Sequence, residues 1–308
     1  MKTPWWFLHK TPLAFLLLPI AFVYYIASRA VFTWRKMFAY KSRRKVICIG
    51  GLLAGGVGKT PIVRTLANYF DAPVVMRGYK RTAKTSNIGD EAAMLMADGI
   101  AVHVGHRKSN VMLLDRQKDE TGPILMDDGL QNPLIKKDIS VLVFNEMIGF
   151  GNGFLLPAGP LREPKRMAKK ADAIIVIKNA KKKKSFKLPA GVPVFYAENK
   201  NISPYDKKTR VFAFAGIGYP KKFFKALDGM VGHRSFGDHY QYTDKDIAEL
   251  KKIAVHKKAK LVTTEKDWVR LPADVRDDIK YVKLETVIDP KFFDWLKEKL
   301  NANTKKES

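Results

Sequence analysis

Residues 46–70 constrain the fold more than any other stretch. Val46-Ile-Cys-Ile49 is a short apolar, β-branched run, which reads as a buried parallel strand. A loop carrying Gly55, Gly56 and Gly58 follows, then Lys59-Thr60 and a helical stretch from Pro61 to Phe70. Strand, glycine-rich loop, Lys-Thr and helix in that order form the context a phosphate-binding loop needs, the alternative being a glycine-rich turn with a chance Lys-Thr. Glycines let backbone N–H groups turn toward phosphate oxygens without a Cβ clash, and the helix N-terminus adds partial positive charge. In such a loop Lys59 reaches the β- and γ-phosphates of ATP and Thr60 offers its hydroxyl to Mg²⁺. The expected nucleotide-binding segment is therefore Leu53, Ala54, Gly55, Gly56, Val57, Gly58, Lys59 and Thr60. Leu53 stands where the G-x-x-x-x-G-K-[ST] pattern has its first glycine, and Ala54 stands where MinD-like ATPases carry an extra lysine.

From residue 46 onward, short apolar runs alternate with helical stretches. Strands are expected at 46–50, 73–76, 101–104, 123–126, 139–144 and 173–178, and helices at 59–70, 89–98, 107–118 and 162–171. That alternation predicts an α/β fold, a P-loop NTPase-like parallel sheet with helices on both faces. Ligands bind such sheets at the carboxyl ends of the strands. Asn199 to Lys208 is polar, contains Pro204 and reads as a linker. A new α/β pattern opens at Val211-Phe-Ala-Phe-Ala215, with helices at 220–229, 243–257 and 289–299 and strands at 260–263 and 279–284. The expected organisation is an N-terminal anchor over 1–34, a P-loop domain over 35–198, a linker over 199–208 and a smaller C-terminal α/β domain over 209–308.

Residues 11–28 carry no charge, Trp5 and Trp6 precede them, and Tyr24 and Tyr25 lie near their end. Arg29, Arg35, Lys36, Lys41, Arg43, Arg44 and Lys45 follow. An apolar stretch with aromatic ends and a basic flank predicts membrane attachment with the rest of the chain in the cytoplasm. Its length is at the lower limit for spanning and Pro19 interrupts it, so spanning and half-embedded helices both remain open. Lys and Arg total 56 against 30 Asp and Glu, a net charge of +26, which calls for an anionic partner. Lys181-Lys-Lys-Lys184 reads as an exposed basic run, with contact to anionic lipid head groups as the sharper alternative. The single Cys48 excludes an intrachain disulfide and suits a reducing compartment.

Asp127-Asp128 ends the strand at 123–126. A carboxylate there, near a P-loop, is placed to hold Mg²⁺, and the alternative is an Asp-Asp-Gly turn. Asp90-Glu91 opens a helix, so Asp90 is either an N-cap or a base near the transferred phosphate. Arg77-Gly-Tyr-Lys-Arg81 and Arg162 in Leu156-Pro-Ala-Gly-Pro-Leu-Arg-Glu-Pro164 follow or precede elements that face the same cleft. Arginines there can clamp phosphates or simply be solvated. Asp238-His239-Tyr240 precedes a helix capped at Thr243, and Thr263-Thr-Glu-Lys-Asp267 reads as a strand end capping the next helix.

These motifs in this order resemble the lipid A 4′-kinase (tetraacyldisaccharide 4′-kinase) family. The resemblance rests on Ala54-Gly-Gly-Val-Gly-Lys-Thr-Pro61, Arg77-Gly-Tyr-Lys-Arg81, Gly89-Asp-Glu91, Asp127-Asp-Gly-Leu-Gln131, the 156–164 loop, Asp238-His-Tyr240 and Thr263–Asp267, behind a hydrophobic N-terminus. It implies transfer of the ATP γ-phosphate to the 4′-hydroxyl of a tetraacyl glucosamine disaccharide 1-phosphate, on the cytoplasmic face of a Gram-negative inner membrane. It implies Asp90 as the base, His239 paired with it across the domain cleft, and Arg162 steadying the phosphates. Asp127, Asp128, Glu91 and Thr60 would organise Mg²⁺. The family commonly reads Asp-Asp-Gly-Phe-Gln-His, and here Leu130 replaces the Phe and Asn132-Pro133 follow Gln131. The partners implied are the lipid substrate and an anionic membrane surface, with no nucleic acid and no obligate protein partner. The competing expectation is a membrane-attached P-loop ATPase acting on a protein, which Ala54 in place of the MinD-type lysine argues against. Nucleic-acid binding rests on charge alone, without an aromatic-basic motif.

Overall fold

The computed structural model describes residues 4–78, 88–117, 120–178 and 186–304. The Lys181–Lys184 run and Tyr79-Lys80-Arg81 lie outside the described residues. In chain order the elements are α1 (Pro12–Leu16), α2 (Leu18–Lys36), β1 (Val46–Gly50), α3 (Lys59–Phe70), β2 (Val74–Met76), α4 (Asp90–Ala97), β3 (Val102–Val104), α5 (Arg107–Leu114), β4 (Ile124–Asp127), β5 (Ile139–Asn145) and β6 (Ala173–Ile177). They continue as β7 (Val194–Ile202), β8 (Val211–Ala215), α6 (Pro220–Phe224), β9 (Met230–Ser235), α7 (Asp244–His256), β10 (Lys260–Thr264), α8 (Glu265–Trp268), β11 (Lys280–Ile288) and α9 (Pro290–Thr304).

The chain forms two compact bodies. The larger holds Thr3–Ile88, Gly99–Asn199 and Thr286–Ser308, and the smaller holds Gly89–Asp98 and Lys200–Glu285. Residues 199–202 of the expected linker belong to β7, and the 286–308 segment expected in the second domain belongs to the larger body. There Asp289 N–H donates to Tyr196 O at 2.9 Å, and the Phe195 and Phe292 rings meet edge-to-face at 5.3 Å.

In the larger body the strand order is β3-β2-β4-β1-β5-β6-β7, and the paired strands run parallel. β1 lies between β4 and β5, covered on both faces, so Val46, Ile47, Cys48 and Ile49 are fully buried. This explains the unbroken apolar run, since a central parallel strand has no solvated face. Burial of Ile62, Val63, Leu66 and Ala67 seats α3. Register pairs Ile49 with Asp127, so the carboxyl ends of β1 and β4 lie side by side. The helix expected at 162–171 is only a 3₁₀ turn, Lys165–Lys170. Leu161 bridges Leu53 and Leu155, and Arg162 N–H donates to Leu52 O at 2.7 Å, so the chain is still tied to the phosphate loop where the helix was expected to begin.

In the smaller body β11-β10-β8-β9 form a parallel sheet. Phe214, Tyr242, Ile247, Leu250 and Ile279 pack a core beneath α7. α7 begins with a capping box, Thr243 to Asp246. The helix expected at 220–229 ends at Phe224. Gly229, at φ +65°, turns the chain into β9, and its carbonyl accepts from Val211 N–H at 2.9 Å. β9 is half-exposed and polar, without the alternation that would mark it in sequence.

The N-terminal segment splits into two helices. Pro19 lies in the first turn of α2, where its missing N–H costs nothing, and α1 ends at Leu16. Only Ala21 of α2 is buried, while Ile20, Phe22, Val23, Ile26, Val31 and Trp34 are exposed. Among the described residues no helix is long and apolar enough to cross a membrane.

Candidate active site

The phosphate loop is held by a second loop. Leu53 forms an antiparallel bridge with Leu161, and Ala54 N–H donates to Pro160 O at 2.7 Å. Leu53 is 2% exposed. A leucine at the first-glycine position therefore acts as a core residue, and the bridging backbone is extended there rather than left-handed. The flexibility sits further on, where Gly55 has φ +120° and Gly58 has φ +91°. A Cβ on Gly58 would lie 2.7 Å from Ile177 Cδ1. Glycine is required at 58 both for its torsion and for space.

Lys59 and Thr60 begin α3 and meet the end of β4. Thr60 Oγ1 donates to Asp127 Oδ2 at 3.2 Å. Lys59 Nζ stands 3.4 Å from Asp128 Oδ1, and Arg162 Nη1 donates to Asp128 Oδ2 at 2.8 Å. Asp128 occupies the left-handed region at φ +50°, which turns its side chain toward these cations. Gln131 Nε2 donates to Gly51 O at 3.1 Å and Glu163 Oε2 at 3.2 Å, tying the Asp127–Gln131 turn to both loops. Beneath it, Arg107 at the start of α5 donates through Nη2 to the carbonyls of Asp127 at 2.8 Å and Asp128 at 3.1 Å.

Burial dominates the Asp127 carboxyl and pushes it up to about 6, against the pull of Lys59. Burial also works on Asp128, but Lys59 and Arg162 outweigh it and hold that carboxyl below the usual range. Asp127 Oδ1 and Asp128 Oδ1 are buried without a hydrogen-bond partner, although Lys59 faces the latter as an ion pair. Two such oxygens beside a threonine hydroxyl are a hard-donor set of the kind Mg²⁺ takes. Among the described residues no three His, Cys, Asp or Glu side chains converge as a metal site of their own. A cation at Asp127 would thus depend on ligand phosphates for the rest of its shell, the usual habit of Mg²⁺.

The smaller body carries a second polar cluster. Asp90 opens α4 and its Oδ2 lies 3.1 Å from His239 Nδ1. The pair forms within this body, not between two domains, because Gly89–Asp98 clusters with Lys200–Glu285. Gly89, not Asp90, is the N-cap, and no side chain caps the helix. Asp90 Oδ1 accepts from Arg270 Nε at 2.9 Å, and Arg270 Nη2 bonds Asp90 Oδ2. Burial would raise the Asp90 pKa, but the Arg270 guanidinium outweighs it and keeps the carboxyl below its ordinary range. Glu91 pairs with Lys266 at 2.6 Å, and this cation likewise wins over burial and lowers the carboxyl. Thr264 caps α8 by accepting from Asp267 N–H at 3.2 Å.

The expected residues thus gather in two sets. Leu53–Thr60, Asp127, Asp128 and Arg162 lie together in the larger body, and Asp90, Glu91 and His239 in the smaller. Arg77 and Gly78 follow β2, and the remainder of that motif is outside the described residues. Sequence reasoning missed Arg107 and Arg270. Both are single cations among 56, and no spacing marks them. Arg270 lies three residues after Asp267, one helical turn on, which is the only local hint.

The comparisons with known proteins are consistent in what they match. The family profile described as tetraacyldisaccharide-1-P 4′-kinase matches residues 13–301. A tetraacyldisaccharide 4′-kinase of Rickettsia bellii (strain OSU 85-389) is 35% identical over 290 residues, covering 84% of this chain and 86% of that protein. One of Maricaulis maris (strain MCS10) is 35% identical over 268 residues, covering 79% and 78%. The crystal structure of the "apo" form of LpxK from Aquifex aeolicus in complex with ATP superposes with a TM-score of 0.73 at 24% identity, over 94% of this chain and 99% of that one. At that identity the superposition speaks for the fold.

Proposed function

The chain belongs to the tetraacyldisaccharide-1-P 4′-kinase family, and we propose that it transfers the γ-phosphoryl group of ATP to the 4′-hydroxyl of a tetraacyl glucosamine disaccharide 1-phosphate in lipid A biosynthesis. The observation that carries this reading is the junction of Lys59, Thr60, Asp127, Asp128 and Arg162 at the carboxyl ends of β1 and β4. Phosphoryl transfer depends on positioning and charge neutralisation, and this is where the larger body concentrates both.

In this reading the backbone of Leu53–Gly58 cradles the phosphates and Lys59 neutralises the β- and γ-oxygens. Thr60, Asp127 and Asp128 would hold Mg²⁺, with Glu91 assisting through water. Bound there, the ion would offset the charge of the triphosphate. Arg162 steadies the transferred group, and its bond to Asp128 pre-positions it. Asp90 accepts the proton of the sugar 4′-hydroxyl, and His239 pairs with that carboxylate. The new bond joins the 4′-oxygen to the γ-phosphorus, the bond to the β,γ-bridging oxygen breaks, and ADP leaves.

The acyl chains keep the acceptor in a bilayer, so the enzyme must work at its surface. The exposed apolar faces of α1 and α2 and the basic residues after them support a helix lying in the interface, at the cytoplasmic face of the inner membrane. A half-embedded helix agrees with the short apolar length better than a spanning one.

The test is transfer of labelled γ-phosphate from Mg-ATP to tetraacyl disaccharide 1-phosphate in mixed micelles, with wild type beside Asp90→Ala. Lipid labelling that falls by about 10²–10⁴-fold in the variant supports the kinase and the base together. ATP hydrolysis without lipid labelling would overturn the reading in favour of an ATPase acting on a protein.

A further inference from the structure

Asp90 is gripped on both oxygens by one side chain. Arg270 Nε meets Oδ1 at 2.9 Å and Nη2 meets Oδ2, a fork-to-fork pairing. Arg270 is itself immobilised, since Nη1 donates to Asp267 Oδ1 at 3.1 Å and to Gly216 O at 2.9 Å. Asp267 is fully buried, and it accepts from Gly216 N–H at 3.0 Å and Thr264 Oγ1 at 2.6 Å. The Arg270 side chain is 4% exposed, whereas that of His239 is 61% exposed on a left-handed residue. One partner of Asp90 is therefore built into the core of the smaller body and the other stands at its surface.

We propose that Arg270 is the positioning residue for Asp90: its guanidinium, locked by Asp267 and Gly216, fixes where the Asp90 carboxylate stands and which oxygen edge it presents. This rests on the reading of Asp90 as the proton acceptor. Arg270 touches neither substrate in this account and acts through that carboxylate, with its Nη2 also 3.3 Å from His239 Nδ1, the other partner of Asp90. A lysine would supply the charge but not the fork, so it would hold one oxygen instead of two. Misplacing a reacting group by an ångström is enough to cost a large factor in rate, and that is what Arg270 prevents.

The experiment is a double-mutant cycle in the lipid-phosphorylation assay, using Arg270→Ala, Arg270→Lys, Asp90→Asn and the Asp90→Asn/Arg270→Ala pair, with thermal midpoints measured for each. Arg270→Ala is expected to lower kcat about 10²-fold with KM for ATP and lipid nearly unchanged. Arg270→Lys is expected to recover about tenfold of that loss. In the Asp90→Asn background, removing Arg270 is expected to change kcat by less than about twofold, because residues acting as a unit are not additive. An equal further loss in that background would overturn the proposal, since Arg270 would then be acting on the fold or on another group. Full activity in Arg270→Lys would overturn the fork, leaving charge alone. If Asp90→Asn keeps wild-type kcat, the proton-acceptor reading fails, and that result is distinct from either outcome for Arg270. Should Arg270→Ala not fold, the Lys variant in both backgrounds gives the same comparison.

Discussion

Thr60 Oγ1 donates to Asp127 Oδ2 at 3.2 Å, joining the last residue of the phosphate loop to the last residue of β4. The two are 67 positions apart, and they meet because β1 and β4 are neighbours in register. Asp127 is held there in a buried, partly desolvated state, which has consequences for stability as well as for binding.

The first concerns pH. Asp127 titrates near 6 in the folded chain and near ~3.9 when unfolded. Above both values it is ionised in both states, and its burial disfavours the fold. As pH falls from about 6 toward ~4, only the folded chain takes up the proton, so that penalty disappears. Asp127→Asn is thus expected to stabilise the ligand-free protein by roughly 2–3 kcal/mol at pH 8 and by little at pH 4. Calorimetry at both pH values checks this. The same variant should gain almost no protection from Mg-ATP, unlike wild type.

Lys59 is nearly buried and faces Asp128. Lys59→Ala is expected to lower lipid phosphorylation by about 10²–10³-fold, the usual loss for one preorganised charge-stabilising group. Nucleotide affinity, measured separately by calorimetric titration, should also weaken.

Leu53 stands at the first-glycine position yet is part of the core. Leu53→Gly matches the common loop pattern more closely, but it deletes a buried side chain and loosens a bridged strand. It is expected to destabilise the protein by about 3 kcal/mol, with activity falling accordingly. A denaturant midpoint that rises instead would show that the bridge to Leu161 contributes nothing.

Phe22 and Ile26 on α2 are 63% and 52% exposed. Replacing both with Asp should leave the unfolding free energy within about 0.5 kcal/mol of wild type, as for surface substitutions generally. Flotation with anionic vesicles should fall at least about tenfold, because two apolar anchors are lost and two repulsive charges gained. Unchanged flotation would locate membrane attachment elsewhere on the chain.

The parallel sheet, the phosphate loop and the Asp127–Asp128 pair were legible in sequence because each is a local pattern. A buried central strand must be apolar throughout, a loop around phosphate must be glycine-rich, and a capped helix start such as Thr243 shows in four residues. β7 and β9 escaped because half-exposed strands with polar stretches carry no periodic signal. The assignment of α4 to the smaller body and of α9 to the larger one was also invisible, since chain order does not record which core a helix packs on.

The identities of Asp90, Arg162 and His239 could be read from motifs, and so could the Asp90–His239 pair, but the cations that hold the carboxylates could not. Arg270 reaches Asp90 over 180 positions and Arg107 reaches the Asp127 carbonyl over 20. Such contacts depend on side-chain direction at distant points of the chain, which composition and spacing do not encode. Sequence alone marked a nucleotide-phosphate site, through the loop geometry that phosphate demands of its residues. Tertiary packing decided which cations hold which carboxylates, because burial makes an unpaired charge costly and the folded backbone determines which partner is within reach.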